Sequence, residues 1–213
     1  MSLTFYLLRH GQTEFSRDNM FCGSGINANL TPEGIEMAAA FASAYKKISW
    51  QAVYVSPMRR TMATAKPICE AIDTKMLLRD DLKEIGYGKW EGRSVADVDR
   101  EFHDDYIRWQ ADPGWNPPTG GEPAIEIARR ALKVIEEIKA KHNDGNVLLV
   151  SHKATIRIIL CEFLGIDVGR FRYRLDCPVC SVSKVEFTKS GPLLRTLADR
   201  SHLSEALRSL PGT

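Results

Sequence analysis

The chain has 213 residues and a formal net charge of +2, with 44% hydrophobic and 26% charged residues. This balance is typical of a folded protein of about one large domain. A nucleic-acid-binding protein concentrates Lys and Arg on one face, whereas no long run of like charge occurs here. No apolar stretch approaches the roughly 20 residues that span a bilayer. We therefore expect neither a nucleic-acid partner nor a membrane partner.

The cysteines indicate a reducing environment. There are five of them, an odd number, and residues 1–5 do not resemble a signal peptide. We expect a cytoplasmic protein with free thiols. Cys177 and Cys180 form a single C-x-x-C, which lacks the second half of a zinc site. Two thiols in a turn are a better interpretation than a redox pair.

Short apolar runs predict the strands of a sheet. They cover residues 3–8, 52–56, 76–78, 146–151 and 182–187, with a less regular sixth at 193–197. Several of them are apolar at successive positions, as in strands that are covered on both faces.

Helical patterns lie between these runs. Thr31 and Pro32 are typical of a helix start, and the helix is expected to continue to about residue 47. Further helices are predicted over 58–72, 94–110, 123–142 and 153–164, and Pro67 is expected to interrupt or bend the first of these.

Alternating strands and helices predict an α/β fold, a three-layer sandwich with a mostly parallel central sheet and helices on both faces. We expect one domain over residues 1–213, with an inserted cap-like segment around 94–120. In such sheets ligands bind beyond the carboxyl ends of the strands. Three predicted strands are followed there by Arg9-His10, by Arg59-Arg60 shortly after Ser56, and by His152.

These residue types can transfer a phosphoryl group, although a histidine in a core strand is more often structural. A neutral imidazole such as that of His10 can attack phosphorus. Arg9, Arg60 and His152 can supply the positive donors that the transition state needs. Such cations lower the pKa of His10 and keep it nucleophilic. We expect His152 to carry a proton, at least when phosphate is bound.

Five motifs in order, across roughly 150 residues, resemble the histidine phosphatase superfamily, which includes phosphoglycerate mutases and related phosphatases. The first is the R-H-G of residues 9–11, and the helix start of residues 30–34 follows it. The others lie at residues 56–65, 82–92 and 151–152, and a further similar turn lies at 120–122.

The resemblance implies a role for each candidate residue. His10 would accept the phosphoryl group, and Arg9, Arg60 and His152 would hold it. The spacing to Thr64-Ala65 selects Arg60 over Arg59. Glu84 matches the family's acid/base position, ahead of Asp80, Asp81 and Glu91, and this assignment depends on resemblance alone. Candidate substrate-binding residues are Thr13, Ser16 and Gly23.

The chain departs from the family pattern at a few positions. Ser16 stands where many relatives carry Asn, and Cys22 replaces a common Gln. Lys153 occupies a position where Gly is frequent, and Pro123 replaces Ser. Lys153 could add charge for a second anionic group, although a solvated lysine at a helix start is the more ordinary use.

Three functions are compatible with this reading. The first is a metal-independent phosphatase that hydrolyses a small-molecule phosphate ester, without a cofactor, as a monomer or homodimer. The second is a phosphoglycerate mutase, which the short connection after Glu84 disfavours. The third is a non-catalytic phosphate-binding module, which would need neither His10 nor Glu84.

Overall fold

The structure, a computed structural model, describes residues 2–212 and is built on a six-stranded sheet of order β3-β2-β4-β1-β5-β6. Strands β1 to β4 are parallel, and β5 and β6 are added antiparallel at one edge. The predicted strands are all present. Their bounds are β1 Leu3–Arg9, β2 Trp50–Val55, β3 Met76–Leu78, β4 Gly145–Ser151, β5 Val182–Thr188 and β6 Gly191–Asp199.

The helices of the described residues connect these strands. They are α1 Glu14–Arg17, α2 Pro32–Tyr45, α3 Arg59–Ala71, α4 Val95–Glu101, α5 His103–Ala111, α6 Ala124–Lys141, α7 Lys153–Leu164, α8 Phe171–Arg174 and α9 Glu205–Ser209. None of the helices within residues 2–212 is long and apolar enough to cross a membrane. The cysteines, all within the described part of the chain, are free thiols.

Alternate residues of the central strands face two separate hydrophobic cores. Phe5 and Leu7 of β1 pack with α6 and α7 on one face. Tyr6 and Leu8 pack with α2 and α3 on the other. Because both faces are covered, the middle strands are apolar at successive positions. The predicted three-layer α/β sandwich is confirmed.

One helix was predicted over residues 94–110, and this prediction is wrong in detail because the segment consists of two helices. The break is at Phe102, whose φ of −133° and ψ of 36° are not helical. Val98 of the first helix and Tyr106 and Trp109 of the second then reach the same aromatic cluster, and Phe102 packs against it. Packing of this cluster overrides the helical periodicity of the sequence.

Pro67 was expected to interrupt or bend its helix, and the helix is not interrupted. Helix α3 continues through it from Arg59 to Ala71. Proline removes one backbone hydrogen bond from a helix interior. Burial of residues such as Ala65, Ile68 and Cys69 against the sheet offsets that loss.

The loop that leaves β1 is pressed against the first turn of α2. Thr31 caps this helix by accepting a hydrogen bond from the backbone of Gly34 at 3.0 Å. A Cβ atom on Gly34 would lie 2.2 Å from the carbonyl oxygen of Gln12. Gly34 therefore lets the helix approach the loop that follows His10, and so it helps to fix the position of that loop.

We predict that Gly34→Ala destabilises the protein, although alanine is the better helix former by about 1 kcal/mol. The contact with the backbone of Gln12 forces a shift that costs roughly 1–3 kcal/mol. Urea unfolding measures the change. Ala39→Gly, at an exposed position of the same helix, is the control and should lose about 1 kcal/mol. A gain of stability in Gly34→Ala would contradict the steric argument.

Candidate active site

Three adjacent strands bring the candidate residues to one edge of the sheet. Arg9 pairs with Ser151 between β1 and β4, and Val55 pairs with Val150 between β2 and β4. His10, Ser56 and His152 each lie just beyond these pairs. The carboxyl ends of the strands thus place residues from distant parts of the chain within one site.

His10 is buried and held in a single tautomer. Its Nδ1 lies 2.7 Å from the carbonyl oxygen of Gly11, and because a carbonyl only accepts, Nδ1 must carry the proton. Nε2 therefore has the free lone pair. Burial, and then the charges of Arg60 and Arg9, hold the pKa of His10 well below its usual value. The ring is therefore neutral near neutral pH.

The second imidazole, that of His152, is fully buried against His10 and Arg60. The two imidazole rings lie with centroids 5.3 Å apart. Nε of Arg60 donates to Nδ1 of His152 at 3.2 Å, which leaves the proton on Nε2, 2.8 Å from the hydroxyl of Ser56. Burial, followed by Arg60, lowers the pKa of His152. His152 is therefore neutral, and direct contact with phosphate requires one of these bonds to be exchanged.

The two arginines of the site are buried and donate to backbone carbonyls. Arg9 donates to Cys177 O at 2.7 Å and to Gly212 O at 3.5 Å. Arg60 donates to Ile26 O at 2.9 Å and to Gly23 O at 3.2 Å. Carbonyls fix the guanidinium groups without neutralising their charge. Burial lowers the pKa of Arg9 to about 10, so the group stays charged near neutral pH.

Arg59 occupies a different environment from Arg60. Its side chain is exposed, whereas the side chain of Arg60 is 1% exposed and contacts His152. The structure thus brings Arg60, the residue selected by the motif spacing, into the site.

Glu84 is buried at the start of α7. Its Oε1 accepts from the backbone of Ile85 at 3.1 Å and of Thr155 at 3.2 Å, and from the hydroxyl of Thr155 at 3.3 Å. Its Oε2 accepts from the backbone of Ala154 at 3.3 Å. Oε2 is the less occupied oxygen and has room for a proton. Glu84 lines the same pocket as His10.

The rival carboxylates lie elsewhere. Asp80 is exposed and pairs with Lys83 at 3.1 Å. The backbone carbonyl of Asp81 accepts from Arg130. Glu91 accepts from the backbone of Gly25 and of Tyr87, both at 3.1 Å. None of the three lines the pocket that contains His10.

The candidate substrate-binding residues have structural roles in the ligand-free protein. Thr13 and Ser16 line the pocket and cap α1 reciprocally through their hydroxyl groups. The backbone N–H of Thr13 donates to Ser16 Oγ at 2.9 Å. Gly23 does not line the pocket, and its carbonyl instead accepts from Arg60. A Cβ atom on Gly23 would lie 2.1 Å from Oε1 of Glu91.

The site opens into a cavity of about 260 Å³ that contains cations beyond the predicted ones. Lys153, Arg157 and Arg172 line it together with Arg9 and Arg60. Burial, followed by Arg9 and Arg157, lowers the pKa of Lys153 to about 8. The spacing of Lys153 and Arg157, four residues apart on the helix after β4, could have indicated this cluster. No sequence signal points to Arg172, since only tertiary packing brings α8 to the pocket.

Aromatic side chains form another part of the wall. Phe21, Tyr87, Trp109 and Phe171 line the cavity. Trp109 belongs to the segment around residues 94–120 that was expected to form a cap, and its side chain reaches the cavity. Tyr106 packs in the aromatic cluster instead, and Trp115 is 64% exposed and does not line the cavity.

Acidic and histidine side chains are not arranged as metal ligands in the described part of the chain. Within residues 2–212, no group of three or more His, Cys, Asp or Glu residues is placed to hold a metal ion.

The chain is similar to known proteins in sequence and in fold. The family model of the histidine phosphatase superfamily (branch 1) matches residues 5–200. The chain therefore belongs to the histidine phosphatase superfamily. As predicted, its class of enzyme is the phosphoric monoester hydrolases.

Individual relatives cover between 78% and 95% of the chain. It is 28% identical over 199 residues to phosphoserine phosphatase 1 of Hydrogenobacter thermophilus, covering 93% of both chains. It is 28% identical to glucosyl-3-phosphoglycerate phosphatase of Mycolicibacterium vanbaalenii, over 78% of this chain and 76% of the relative. The crystal structure of alpha-ribazole phosphatase from Shigella flexneri matches with a TM-score of 0.84 at 24% identity, over 95% of this chain and 99% of the other. This last similarity supports the fold.

We predict that acidification below about pH 6.5 destabilises the protein. The folded-state pKa values of His10 and His152 lie below the unfolded value, so the unfolded chain binds more protons as the pH falls. Each such histidine contributes a slope of up to about 1.4 kcal/mol per pH unit. This stability is fully present above pH 6.5 and is lost as the pH falls towards the folded-state pKa.

Urea unfolding between pH 7.5 and pH 5 measures this slope. His10→Asn should reduce it, because one titrating group is removed. His103→Asn is the control, since His103 is 63% exposed on α5. An identical slope in wild type and His10→Asn would contradict the buried, neutral state of His10.

Proposed function

We propose that this chain hydrolyses small phosphate monoesters through a phosphohistidine on His10. The observation that carries the proposal is the tautomer of that residue. Its Nδ1–H is fixed on Gly11 O, so the lone pair of Nε2 is available in a pocket that also contains Arg9, Arg60 and Glu84.

The first step transfers the phosphoryl group to the protein. The lone pair of His10 Nε2 forms a bond to phosphorus, and the bond from phosphorus to the ester oxygen breaks. The electron pair leaves with that oxygen, which takes a proton from Glu84. The imidazole then carries phosphate on Nε2 and its original proton on Nδ1, where Gly11 O stabilises the resulting positive charge.

The second step returns the site to its starting state. The Glu84 carboxylate accepts a proton from water as the water oxygen attacks phosphorus. The phosphorus–nitrogen bond breaks, and its electron pair returns to Nε2. Orthophosphate is released, and Glu84 is again protonated for the next cycle.

Arg9 and Arg60 hold the transferring group. Both side chains line the pocket, and guanidinium groups suit phosphate oxygens. His152 orients Arg60 through the bond from Arg60 Nε to its Nδ1. It contacts the phosphate when that bond is exchanged. The hydroxyls of Thr13 and Ser16, which line the pocket, bind the substrate.

Hydrolysis is favoured over the two alternatives. A mutase would have to keep the phosphoryl group from water, and the matched relatives are named as phosphatases of phosphoserine and of glucosyl-3-phosphoglycerate. A pure binding module would need the arginines but not a fixed imidazole tautomer facing a carboxyl group. The cavity of about 260 Å³ lies below the usual range for drug-sized ligands, which supports a small metabolite as substrate.

We predict that His10→Ala abolishes phosphate release from small phosphomonoesters, by roughly a thousandfold or more in kcat. Acid-labile, alkali-stable labelling of the protein by phosphate should disappear with it. His103→Ala, at an exposed position, is the control and should keep both. Circular dichroism checks that the fold is intact. Turnover near the wild-type rate in His10→Ala would remove His10 as the nucleophile.

We predict that Glu84→Gln lowers kcat by roughly 10²–10⁴-fold with little change in KM. Glutamine keeps an acceptor for the backbone of α7 but has no proton to give or take. Glu84→Gln should slow the phosphorylation of His10 less with p-nitrophenyl phosphate, because the leaving group of this substrate needs no proton. The rate of the initial burst with each substrate separates this step from hydrolysis.

Glu91→Gln is the matched control, because Glu91 does not line the pocket. It should leave kcat within about twofold of the wild type. If Glu84→Gln slowed the phosphorylation step equally with good and poor leaving groups, that result would contradict proton donation by Glu84.

A further inference from the structure

Three cations line the pocket outside the group around His10. Lys153 and Arg157 belong to α7, and Arg172 belongs to α8. We propose that these three residues form a second anion-binding subsite, which selects phosphomonoesters that carry a further carboxylate or phosphate on the same small molecule. This inference rests on the proposed function, since it names the substrate class of that same site.

The charge of the pocket exceeds what one phosphate group needs. Among the described residues that line it, Arg9, Arg60, Lys153, Arg157 and Arg172 are cationic and Glu84 alone is acidic. A phosphate monoester carries at most two negative charges, which is fewer than the number of cationic side chains that line the pocket. The remaining cations are left for another anionic group.

Carboxylates of the protein do little to neutralise these three side chains. Within residues 2–212, Lys153 and Arg172 make no ion pair within 4.0 Å. The ion pair of Arg157 is with Asp176 at 3.8 Å, and the side chain of Asp176 is 75% exposed. Nε of Arg157 is a buried donor without a hydrogen-bond partner among the described residues. Buried donors of this kind are normally paired, and an anion in the pocket would be a suitable acceptor.

The three side chains are also positioned by their surroundings. Lys153 and Arg157 are separated by about one turn of α7 and so share a face of the helix. The guanidinium carbon of Arg172 lies 3.7 Å from the ring centroid of Trp109, which is 1% exposed. A cation held on a buried aromatic ring is presented to the pocket at a defined place.

Electrostatic repulsion among the cations of the pocket also indicates a site for an anion. Burial is the largest cause of the lowered pKa values of Lys153 and Arg9; Arg9 and Arg157 lower the pKa of Lys153 further, and Arg157 adds a smaller lowering to that of Arg9. Like charges this close in a partly buried pocket repel one another. A bound anion attracts these cations and so offsets their repulsion. A second anionic group on the substrate would do this beside the phosphate.

The position of the subsite limits the length of the substrate. Helix α7 begins directly after His152, so Lys153 is adjacent to the phosphate site. Arg157 lies about one helical turn, roughly 5–6 Å, further along. The two anionic groups are therefore separated by only a few bonds, as in a small phosphorylated carboxylic acid or a compact bisphosphate.

Matched substrate pairs test the subsite. 3-Phosphoglycerate and glycerol 3-phosphate differ by a carboxylate, whereas glycerol 1,3-bisphosphate and glycerol 3-phosphate differ by a second phosphate. The wild-type enzyme should prefer the more anionic member of at least one pair by about 10-fold or more in kcat/KM. The pair that shows the preference identifies the second group as carboxylate or phosphate.

Two variants on different helices should each reduce that preference towards one. Lys153→Met keeps much of the length of the side chain without its charge, and Arg172→Met does the same on α8. Lys133→Met is the matched control, because Lys133 is exposed on α6, and it should keep the wild-type ratio. Circular dichroism confirms that each variant is folded.

The outcomes separate the two proposals. A wild-type enzyme that hydrolyses these esters with ratios near one in both pairs would overturn the subsite and leave the phosphatase proposal intact. The same holds if the preference survives in both Lys153→Met and Arg172→Met. Absence of phosphate release from any phosphomonoester, including p-nitrophenyl phosphate, would instead overturn the proposed function.

Discussion

The site depends on buried guanidinium groups that are fixed by backbone carbonyls. Arg9 and Arg60 donate to carbonyls from the segments at Cys177 and at residues 23–26. A carboxylate partner would satisfy the same donors, but it would also cancel the charge that an anion needs. The carbonyl oxygens of Ile26 and Gly23 accept from Arg60 without cancelling its charge, which contributes to a positive potential in the pocket. Burial is the largest cause of the lowered pKa of His10, and the charges of Arg60 and Arg9 lower it further, so the potential that favours anion binding also helps to keep this imidazole neutral.

The sheet and the start of α7 fix the positions of the candidate residues in this potential. Parallel pairing of β1, β4 and β2 sets His10 and His152 side by side. Glu84 then accepts hydrogen bonds from the first turn of α7, which follows His152 directly. Arg130 donates to the backbone carbonyl of Glu84 at 3.2 Å and to the carboxylate of Glu122. The carboxyl group is therefore held relative to the imidazoles by both its side chain and its backbone.

Sequence patterns predict those parts of the molecule that local chemistry decides. Strands buried on both faces and the cap at Thr31 are local signals, and the structure contains them. His10 and His152 lie close together because of the order of the strands in the sheet. The alternation of strands and helices along the sequence indicates that order only in outline. The break at Phe102 depends on a shared aromatic cluster, and Arg172 reaches the pocket through tertiary packing, so neither has a sequence signal. Cytoplasmic location and a monomeric or homodimeric state stay predictions.

Departures from the family pattern separate into two physical kinds. Ser16 replaces a common Asn, yet its hydroxyl completes a capping box with Thr13 and is satisfied within the loop. That change is accommodated within the loop and does not alter the charge of the pocket. Lys153 replaces a common Gly and adds a cation beside the phosphate site. Because a positive charge is costly among other cations unless an anion is bound, this second departure bears on the proposed second subsite, whereas the chemistry proposed at His10 is the same for every ester.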